Sequence, residues 1–154
     1  MAAQLILVVR HAHAGDPAAW QHDDDLRPLS DRGCVQAERL VAVLSSPRPE
    51  VVYSSPSLRC IATVLPLARA QKLPVATLDE LYEGGSAAGM LDRLGSQRRS
   101  PMVACTHGDI LEDLIGHLAS IGISPPSQHA AKASTWTLEV TDGRISSVRY
   151  APPP

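Results

Sequence analysis

Continuous apolar runs alternate along the chain with stretches in which apolar residues recur every three or four positions. The first run, 4–9, contains β-branched residues and predicts a strand that is buried on both faces of a parallel sheet. Similar but shorter runs predict further strands at 51–54, 75–78 and 102–105. Helical spacing predicts helices that follow Ser30 and Pro56 and helical stretches at 90–94 and 110–121.

The C-terminal part of the chain has the pattern of a β-hairpin. Apolar runs at 135–140 and 145–150 flank a turn that contains Asp142 and Gly143, and an Asp-Gly pair between such runs is a strong hairpin signal. No repeat or linker interrupts the chain, so we predict a single domain over 1–154. Strands that alternate with helices predict a three-layer α/β/α sandwich with a mainly parallel sheet.

Composition limits the kinds of partner. The 154 residues include 44 % hydrophobic residues, enough for one buried core, but no Phe and only 3 % aromatic residues. Stacking on nucleic-acid bases is therefore not expected. The formal net charge of -2 gives no general attraction to nucleic acid or to an anionic membrane, and we expect neither as a partner. Any anion must be bound by a local cluster of basic residues.

Cysteine and histidine spacing does not indicate a metal site. Cys34, Cys60 and Cys105 form no CxxC pair, so we expect buried, reduced thiols rather than a disulfide framework. His22 precedes three aspartates, but such a run is more typical of a solvated loop than of a metal site. We therefore expect no metal and no cofactor. The N-terminal apolar run is too short for a signal peptide, and we expect a cytoplasmic protein.

Residues with acid–base and anion-binding chemistry follow four of the predicted strands. Arg10 and His11 follow the first strand, and Arg59 lies in the helix after the second. Glu80 follows the third strand, and His107 follows the fourth, at a predicted helix start. Because ligands bind beyond the carboxyl ends of parallel strands, we expect these side chains to meet at one edge of the sheet.

This set of side chains suits a tetrahedral phosphate dianion. Arginine presents paired donors that match phosphate oxygens, a neutral histidine can attack phosphorus, and a helix N-terminus adds backbone N–H groups. A carboxylate repels phosphate, so its suitable role is to hold a proton for a leaving group. Either histidine alone could be an ordinary polar group at a strand end. Beside two arginines that interpretation is disfavoured, because buried cations are costly without an anion.

Five short segments follow one another in a recognisable order, and they are Val8–Ala14, Arg27–Ala37, Tyr53–Arg59, Leu78–Glu80 and Thr106–Gly108. Together they resemble the motifs of the histidine phosphatase superfamily, which has the phosphoglycerate-mutase-like fold and an RHG signature. The length and the spacing of the first two segments most resemble the small phosphohistidine phosphatases. They also resemble the phosphatase-like half of some two-domain Nudix hydrolases, although this sequence contains no Nudix signature.

The resemblance implies a role for each matching residue. His11 would attack phosphorus, and three further residues would bind the transferring oxygens and stabilise their charge in the transition state: Arg10, Arg59 and His107. Glu80 would protonate the leaving group and then help to activate water.

Three positions qualify the resemblance. Ala12 stands where the family usually has Gly, and Pro17 stands where mutase-like members often have an Asn that touches phosphate. Glu83 is a second candidate for the acid, because loop lengths vary in this segment.

The resemblance implies a cofactor-independent phosphatase with a phosphohistidine intermediate. The first expected substrate is phosphohistidine in a protein, and the alternative is a small phosphate ester or a nucleotide. A mutase is disfavoured, because the chain is too short for the insertions that would retain a sugar phosphate. The alternative from another class is a non-catalytic phosphate-binding module. The oligomeric state and the pathway stay open.

Overall fold

The structure is a computed structural model that describes residues 3–154. The described chain forms six strands: β1 Gln4–Arg10, β2 Val51–Ser54, β3 Val75–Thr77, β4 Met102–Thr106, β5 Thr135–Thr141 and β6 Arg144–Ala151. They build one sheet in the order β3-β2-β4-β1-β5-β6. β1 to β4 pair in parallel, whereas β5 and β6 pair antiparallel with their neighbours. The prediction of a mainly parallel sheet is confirmed.

Helices connect the strands. Within residues 3–154 the α-helices are α1 Asp31–Leu44, α2 Leu58–Gln71, α3 Ala87–Ser96 and α4 Gly108–Ser120. Short 3₁₀ turns occur at Pro17–Ala19, Asp24–Leu26 and Asp79–Leu81. Across these described residues, no helix has both the length and the apolar character that a membrane span requires.

Side chains of β1 alternate between two hydrophobic clusters. Ile6 and Val8 belong to the cluster that includes α3 and α4, whereas Leu7 and Val9 belong to the cluster that includes α1 and α2. Successive side chains of a strand point to opposite faces, so both faces of β1 are buried. This burial explains the continuous apolar run in the sequence. The predicted three-layer sandwich, with the phosphoglycerate-mutase-like arrangement, is confirmed.

Capping side chains set the starts of two helices. The Ser30 side chain accepts a hydrogen bond from a backbone N–H in the first turn of α1, so this helix begins at the predicted position. Ser86 caps α3 in the same way by accepting from Gly89 N. Helix α3 therefore begins at Ala87, earlier than the predicted stretch at 90–94, because its cap lies in a segment that the sequence pattern assigns to a loop.

The predicted hairpin is also confirmed. β5 and β6 pair antiparallel, and the turn between them contains Asp142 with φ 53° and Gly143 with φ 75°. Two consecutive positive φ angles are typical of the tight turn that matches the twist of paired strands, and Asp-Gly tolerates them.

Strand register brings three strand ends to the same level. Arg10 is opposite Thr106 in the β1–β4 pair, and Ser54 is opposite Cys105 in the β2–β4 pair. The residues that follow leave the sheet at one edge, and they include His11, Ser55 and His107. The parallel register therefore brings together chemistry that is far apart in sequence.

The loop after β1 packs closely on the start of α1. Ser30 N donates to His13 O at 3.0 Å, and His13 N donates to Gln36 Oε1 at 2.9 Å. A Cβ atom at Gly33 would lie 1.9 Å from His13 O, which is closer than atoms can approach. Glycine at this position therefore allows α1 to hold the loop that begins with His11.

The substitution Gly33→Ala should destabilise the fold by about 1–3 kcal/mol, because the added methyl group must displace the backbone of His13. Gly116→Ala is the matched control, since a Cβ atom there would have no neighbour within 4 Å. That control should stabilise α4 by about 0.5–1 kcal/mol. Urea unfolding of both variants measures the difference. A Gly33→Ala protein as stable as the unmodified chain would contradict the packing described.

Candidate active site

A cavity of about 470 Å³ lies at the edge of the sheet where β1, β2 and β4 end. Four residues identified from the sequence line it: Arg10, His11, Arg59 and His107. Glu80 is not among its lining residues. Gly108, the first residue of α4, also lines the cavity, so the positive end of this helix dipole adjoins it. The edge of the sheet is thus electropositive, as an anion site requires.

His11 is held in one tautomer. Its Nδ1 lies 2.8 Å from Ala12 O, and a carbonyl can only accept, so Nδ1 carries the proton. The lone pair is therefore on Nε2. Burial, the largest effect, lowers the pKa of His11 to about 3, while the bond to Ala12 opposes this shift and nearby cationic side chains add to it. At neutral pH the ring is thus an uncharged nucleophile.

Arg59 is almost completely buried and is oriented by two acidic residues. It is 1 % exposed, and its Nη1 donates to Asp24 O at 2.8 Å. Its Nη2 lies 3.2 Å from Asp24 Oδ2 and 3.3 Å from Glu83 Oε1. These contacts fix the plane of the guanidinium group at the cavity wall.

Arg10 is held from the other side of the cavity. Its Nη1 donates to Ala130 O at 2.6 Å. A Cβ atom at Gly108 would lie 2.7 Å from Arg10 Cζ, so the absence of a side chain there lets the guanidinium group pack on the start of α4. The helix start and the loop around Ala130 together orient this arginine.

Both arginines retain one buried donor without a partner. Within residues 3–154, Arg10 Nε and Arg59 Nε have no hydrogen-bond acceptor although both atoms are buried. A buried polar group without a partner costs about 1–3 kcal/mol, and more when it is charged. Because both residues line one cavity, an anion bound there would lie beside both guanidinium groups and offset their charge.

His107 precedes α4 and lies between Ser55 and Arg59. Its Nε2 is 2.8 Å from Ser55 Oγ, and its Nδ1 is 3.5 Å from Arg59 Nη2. The rings of His107 and His11 are 5.6 Å apart, centroid to centroid. His107 is 2 % exposed, so its orientation is fixed by packing as well as by these contacts.

The two candidate acids occupy different places. Glu80 pairs with Arg93 of α3 at 3.3 Å and lies away from the cavity lining. Glu83, which the sequence left as the second candidate, lines the cavity and contacts Arg59. The 3₁₀ turn at Asp79–Leu81 accounts for this difference, because Leu81 is buried and Glu80 is carried toward α3. The position of Glu80 therefore does not suit the role that the resemblance implied.

Sequence reasoning missed two basic residues at the cavity. Arg27 is 6 % exposed, donates to Ala14 O at 2.8 Å and pairs with Asp24 at 3.0 Å. Its place at the start of the second family-like segment was a signal that could have indicated this role. Lys132 also lines the cavity but belongs to a loop without a motif. The rim is completed by Pro17, Asp109, Glu112 and His129.

The cysteines have no direct part in the cavity lining. Cys60 and Cys105 are buried and free, as expected, but the expectation is wrong for Cys34, which is free and exposed. Cys34 lies in the first turn of α1, on the side away from the core. For metal binding, the described part of the chain contains no group of three or more His, Cys, Asp or Glu side chains with suitable placement.

Comparison with known proteins gives a family. The sequence model of the histidine phosphatase superfamily (branch 1) matches residues 6–98. The 8-oxo-(d)GTP phosphatase of Mycolicibacterium smegmatis is 32 % identical over 159 aligned positions, which cover 98 % of this chain and 49 % of that protein. Phosphoserine phosphatase 1 of Hydrogenobacter thermophilus is 37 % identical over 89 positions, which cover 56 % of this chain and 42 % of that protein. The chain spans about half the length of the curated relatives it matches.

Solved structures share the fold. The protein histidine phosphatase SixA, solved as a complex with tungstate, aligns with a TM-score of 0.71 and 21 % identity. The alignment covers 94 % of this chain and 96 % of SixA. Sequence identity at this level establishes the common fold and no more.

The burial of His11 generates a prediction for its titration. Since its pKa is about 3, its ring resonances should not titrate between pH 8 and pH 5 in nuclear magnetic resonance spectra. An ordinary histidine would titrate near pH 6.5. The unfolded chain takes up this proton and the folded chain does not, so this residue's contribution to stability should fall as the pH drops from about 6.5 toward 3. A midpoint of His11 near pH 6.5 would contradict the burial described.

Proposed function

The chain belongs to the histidine phosphatase superfamily, and on that premise we propose that it is a phosphatase in which His11 carries the phosphoryl group. His11 Nε2 attacks phosphorus in line, and the bond from phosphorus to the leaving oxygen or nitrogen breaks with its electron pair. Water then attacks phosphorus, the bond from phosphorus to Nε2 breaks with its electron pair left on the nitrogen, and phosphate departs. The imidazole returns to its uncharged state for the next cycle.

The observation that carries this proposal is the convergence of Arg10 and Arg59 on the cavity that the neutral His11 also lines. The guanidinium groups of both arginines can donate to oxygens of one phosphoryl group. These donors, together with His107, would hold the charge that spreads over the transferring oxygens. Fixed donors matter in an in-line phosphoryl transfer, because positioning and charge stabilisation supply most of the catalysis.

Glu83 is the proposed general acid. Its carboxyl group is at the cavity, where it can give a proton to the leaving group and then take one from the attacking water. Contact with Arg59 keeps it near the reacting phosphorus. Glu80 has no comparable access, since it is engaged with Arg93.

Two substrate classes are compatible with this chemistry. Phosphohistidine in a protein is the first expectation, and the fold shared with SixA is compatible with it without distinguishing it from other phosphorylated substrates. A small phosphate ester or a nucleotide is supported by Glu83, because an oxygen leaving group needs a proton donor more than an imidazole does. The 32 % identity with an 8-oxo-(d)GTP phosphatase over nearly the whole chain supports it as well. We therefore propose the small ester or nucleotide as the substrate class.

The covalent step can be trapped directly. When turnover of a ³²P-labelled substrate is quenched without acid, His11 should carry the label. The labelled adduct should be stable in base and labile in acid, as a phosphoramidate is. His11→Ala should abolish both label and turnover, because the nucleophile is lost. His117→Ala, a histidine of α4 outside this cavity, should keep both. If the unmodified protein is fully active but carries no label, water attacks phosphorus directly. If it is inactive and unlabelled but still binds phosphate, the chain is a non-catalytic binding module.

The assignment of the acid can be tested with paired variants. Glu83→Gln should lower kcat/KM for an alkyl phosphate by about 10²–10⁴, because the leaving alkoxide then lacks its proton donor. The loss should be smaller for p-nitrophenyl phosphate and for phosphohistidine, whose leaving groups need less help. Glu80→Gln is the matched control and should change neither rate greatly. A larger loss in Glu80→Gln than in Glu83→Gln would reverse the assignment.

A further inference from the structure

The cavity has a second basic region beyond the residues around His11. Lys132 and Arg27 both line it, and Arg32 of α1 is close enough to influence Lys132 electrostatically. Burial, followed by repulsion from Arg10, Arg27 and Arg32, lowers the pKa of Lys132. The charged groups that shift its pKa are all cations. A half-buried lysine in such a position is unfavourable unless an anion joins it.

Lys132 differs from the arginines in having no acidic partner. Arg27 pairs with Asp24, and Arg59 contacts Asp24 and Glu83. Arg10 has the opposite charges of Glu112 and Asp109 near it. These acids partly balance the charge of the three guanidinium groups. Across residues 3–154, the ion pairs that the structure contains do not include Lys132. Its charge is therefore the one at the cavity that is least compensated among the described residues.

The backbone holds Lys132 beside the nucleophile. Ala133 N donates to Arg10 O at 3.1 Å and to His11 O at 3.3 Å, and Arg10 N donates to Ser134 O at 3.1 Å. Ala133 adopts φ 63°, a conformation that alanine rarely takes and that these hydrogen bonds stabilise. These hydrogen bonds fix the loop against the end of β1. The strained backbone of Ala133 directly follows Lys132 and is part of the fixed segment that positions it.

We propose that Lys132 and Arg27 bind a second phosphate group of the substrate, next to the phosphoryl group that His11 accepts, so that preferred substrates end in a diphosphate. This inference rests on the proposed function and narrows its substrate class. The terminal phosphorus bonds to His11 Nε2, and its bond to the bridging oxygen breaks. The electron pair stays on that oxygen, which leaves as part of a monophosphate next to Lys132. Water then releases inorganic phosphate from His11.

The charge arrangement favours a diphosphate over the alternatives. The alcohol part of a monophosphate ester would place a neutral group beside Lys132, and the imidazole of phosphohistidine would do the same. A second phosphate instead supplies the missing negative charge and becomes more negative as the bridging bond breaks. Lys132 would therefore stabilise the transition state more than the ground state, which raises turnover as well as affinity.

The test compares ADP with AMP as probes, since they differ by one phosphate. The unmodified chain should prefer ADP in kcat/KM, and Lys132→Gln should lower the ADP-to-AMP ratio by about tenfold or more, because a charge-assisted contact is lost. Lys132→Arg should retain most of the ratio. Lys72→Gln is the matched control, because Lys72 is an exposed lysine at the end of α2. A ratio that is unchanged in Lys132→Gln, or no preference for ADP, would overturn the inference.

A binding measurement separates this inference from the proposed function. In the His11→Ala background, which prevents turnover, calorimetry should show that pyrophosphate binds more tightly than orthophosphate. Adding Lys132→Gln should reduce the ratio of pyrophosphate affinity to orthophosphate affinity by about tenfold. If neither nucleotide is hydrolysed, but pyrophosphate binds more tightly than orthophosphate and Lys132→Gln removes this difference, the second phosphate site is supported and the proposed catalysis is refuted. If monophosphates are hydrolysed while pyrophosphate has no advantage, the catalysis stands and the subsite is refuted.

Discussion

The buried Arg59 and the partly buried Arg10 line one cavity with His11 at one edge of the sheet, and the surrounding structure is arranged around their charge. Arg59 is 1 % exposed, and within residues 3–154 neither its buried Nε nor that of Arg10 has a hydrogen-bond partner. Burying such cations costs free energy, and the fold orients them without fully neutralising their charge. A site that neutralised them fully would have no affinity left for an anion.

Backbone carbonyl groups provide this orientation. Each of the three cavity arginines uses Nη1 to donate to a main-chain oxygen: Arg10 to Ala130 O, Arg27 to Ala14 O and Arg59 to Asp24 O. A carbonyl fixes a guanidinium group but carries no net charge, so the positive potential persists in the cavity. Asp24 and Glu83 add partial compensation from the rim, where water screens them. Preorganised donors of this kind need little rearrangement when charge develops on phosphorus.

Burial, assisted by the same cations, also keeps His11 uncharged. Burial and positive neighbours both disfavour a protonated ring, and the bond from Nδ1 to Ala12 O leaves the lone pair on Nε2. One arrangement therefore attracts the phosphate and keeps the nucleophile ready. The loops that deliver Asp24 and Lys132 come from distant parts of the chain, and both are fixed by hydrogen bonds to residues of the site itself.

Much of the fold could be predicted from sequence because its causes are local. The apolar run of β1 reflects burial on both faces, Ser30 caps α1, and Asp142 with Gly143 makes the hairpin turn. The ends of parallel strands share an edge, so strand order along the chain was enough to suggest which basic side chains meet. The predicted start of α3 lay too far along the sequence, because a single serine cap inside a polar segment gives little signal.

The sequence by itself determined the sheet, its helices and the residues that share the family's motifs, since hydrophobic periodicity and short motifs are properties of neighbouring residues. Only the tertiary structure decided which acid reaches the cavity and which further cations line it. Glu80 and Glu83 lie only three positions apart in sequence, yet Glu83 contacts Arg59 at the cavity and Glu80 pairs with Arg93 of α3. Lys132 lines the same cavity as His11 because its loop is hydrogen-bonded to residues more than a hundred positions earlier, and no local pattern records such an arrangement.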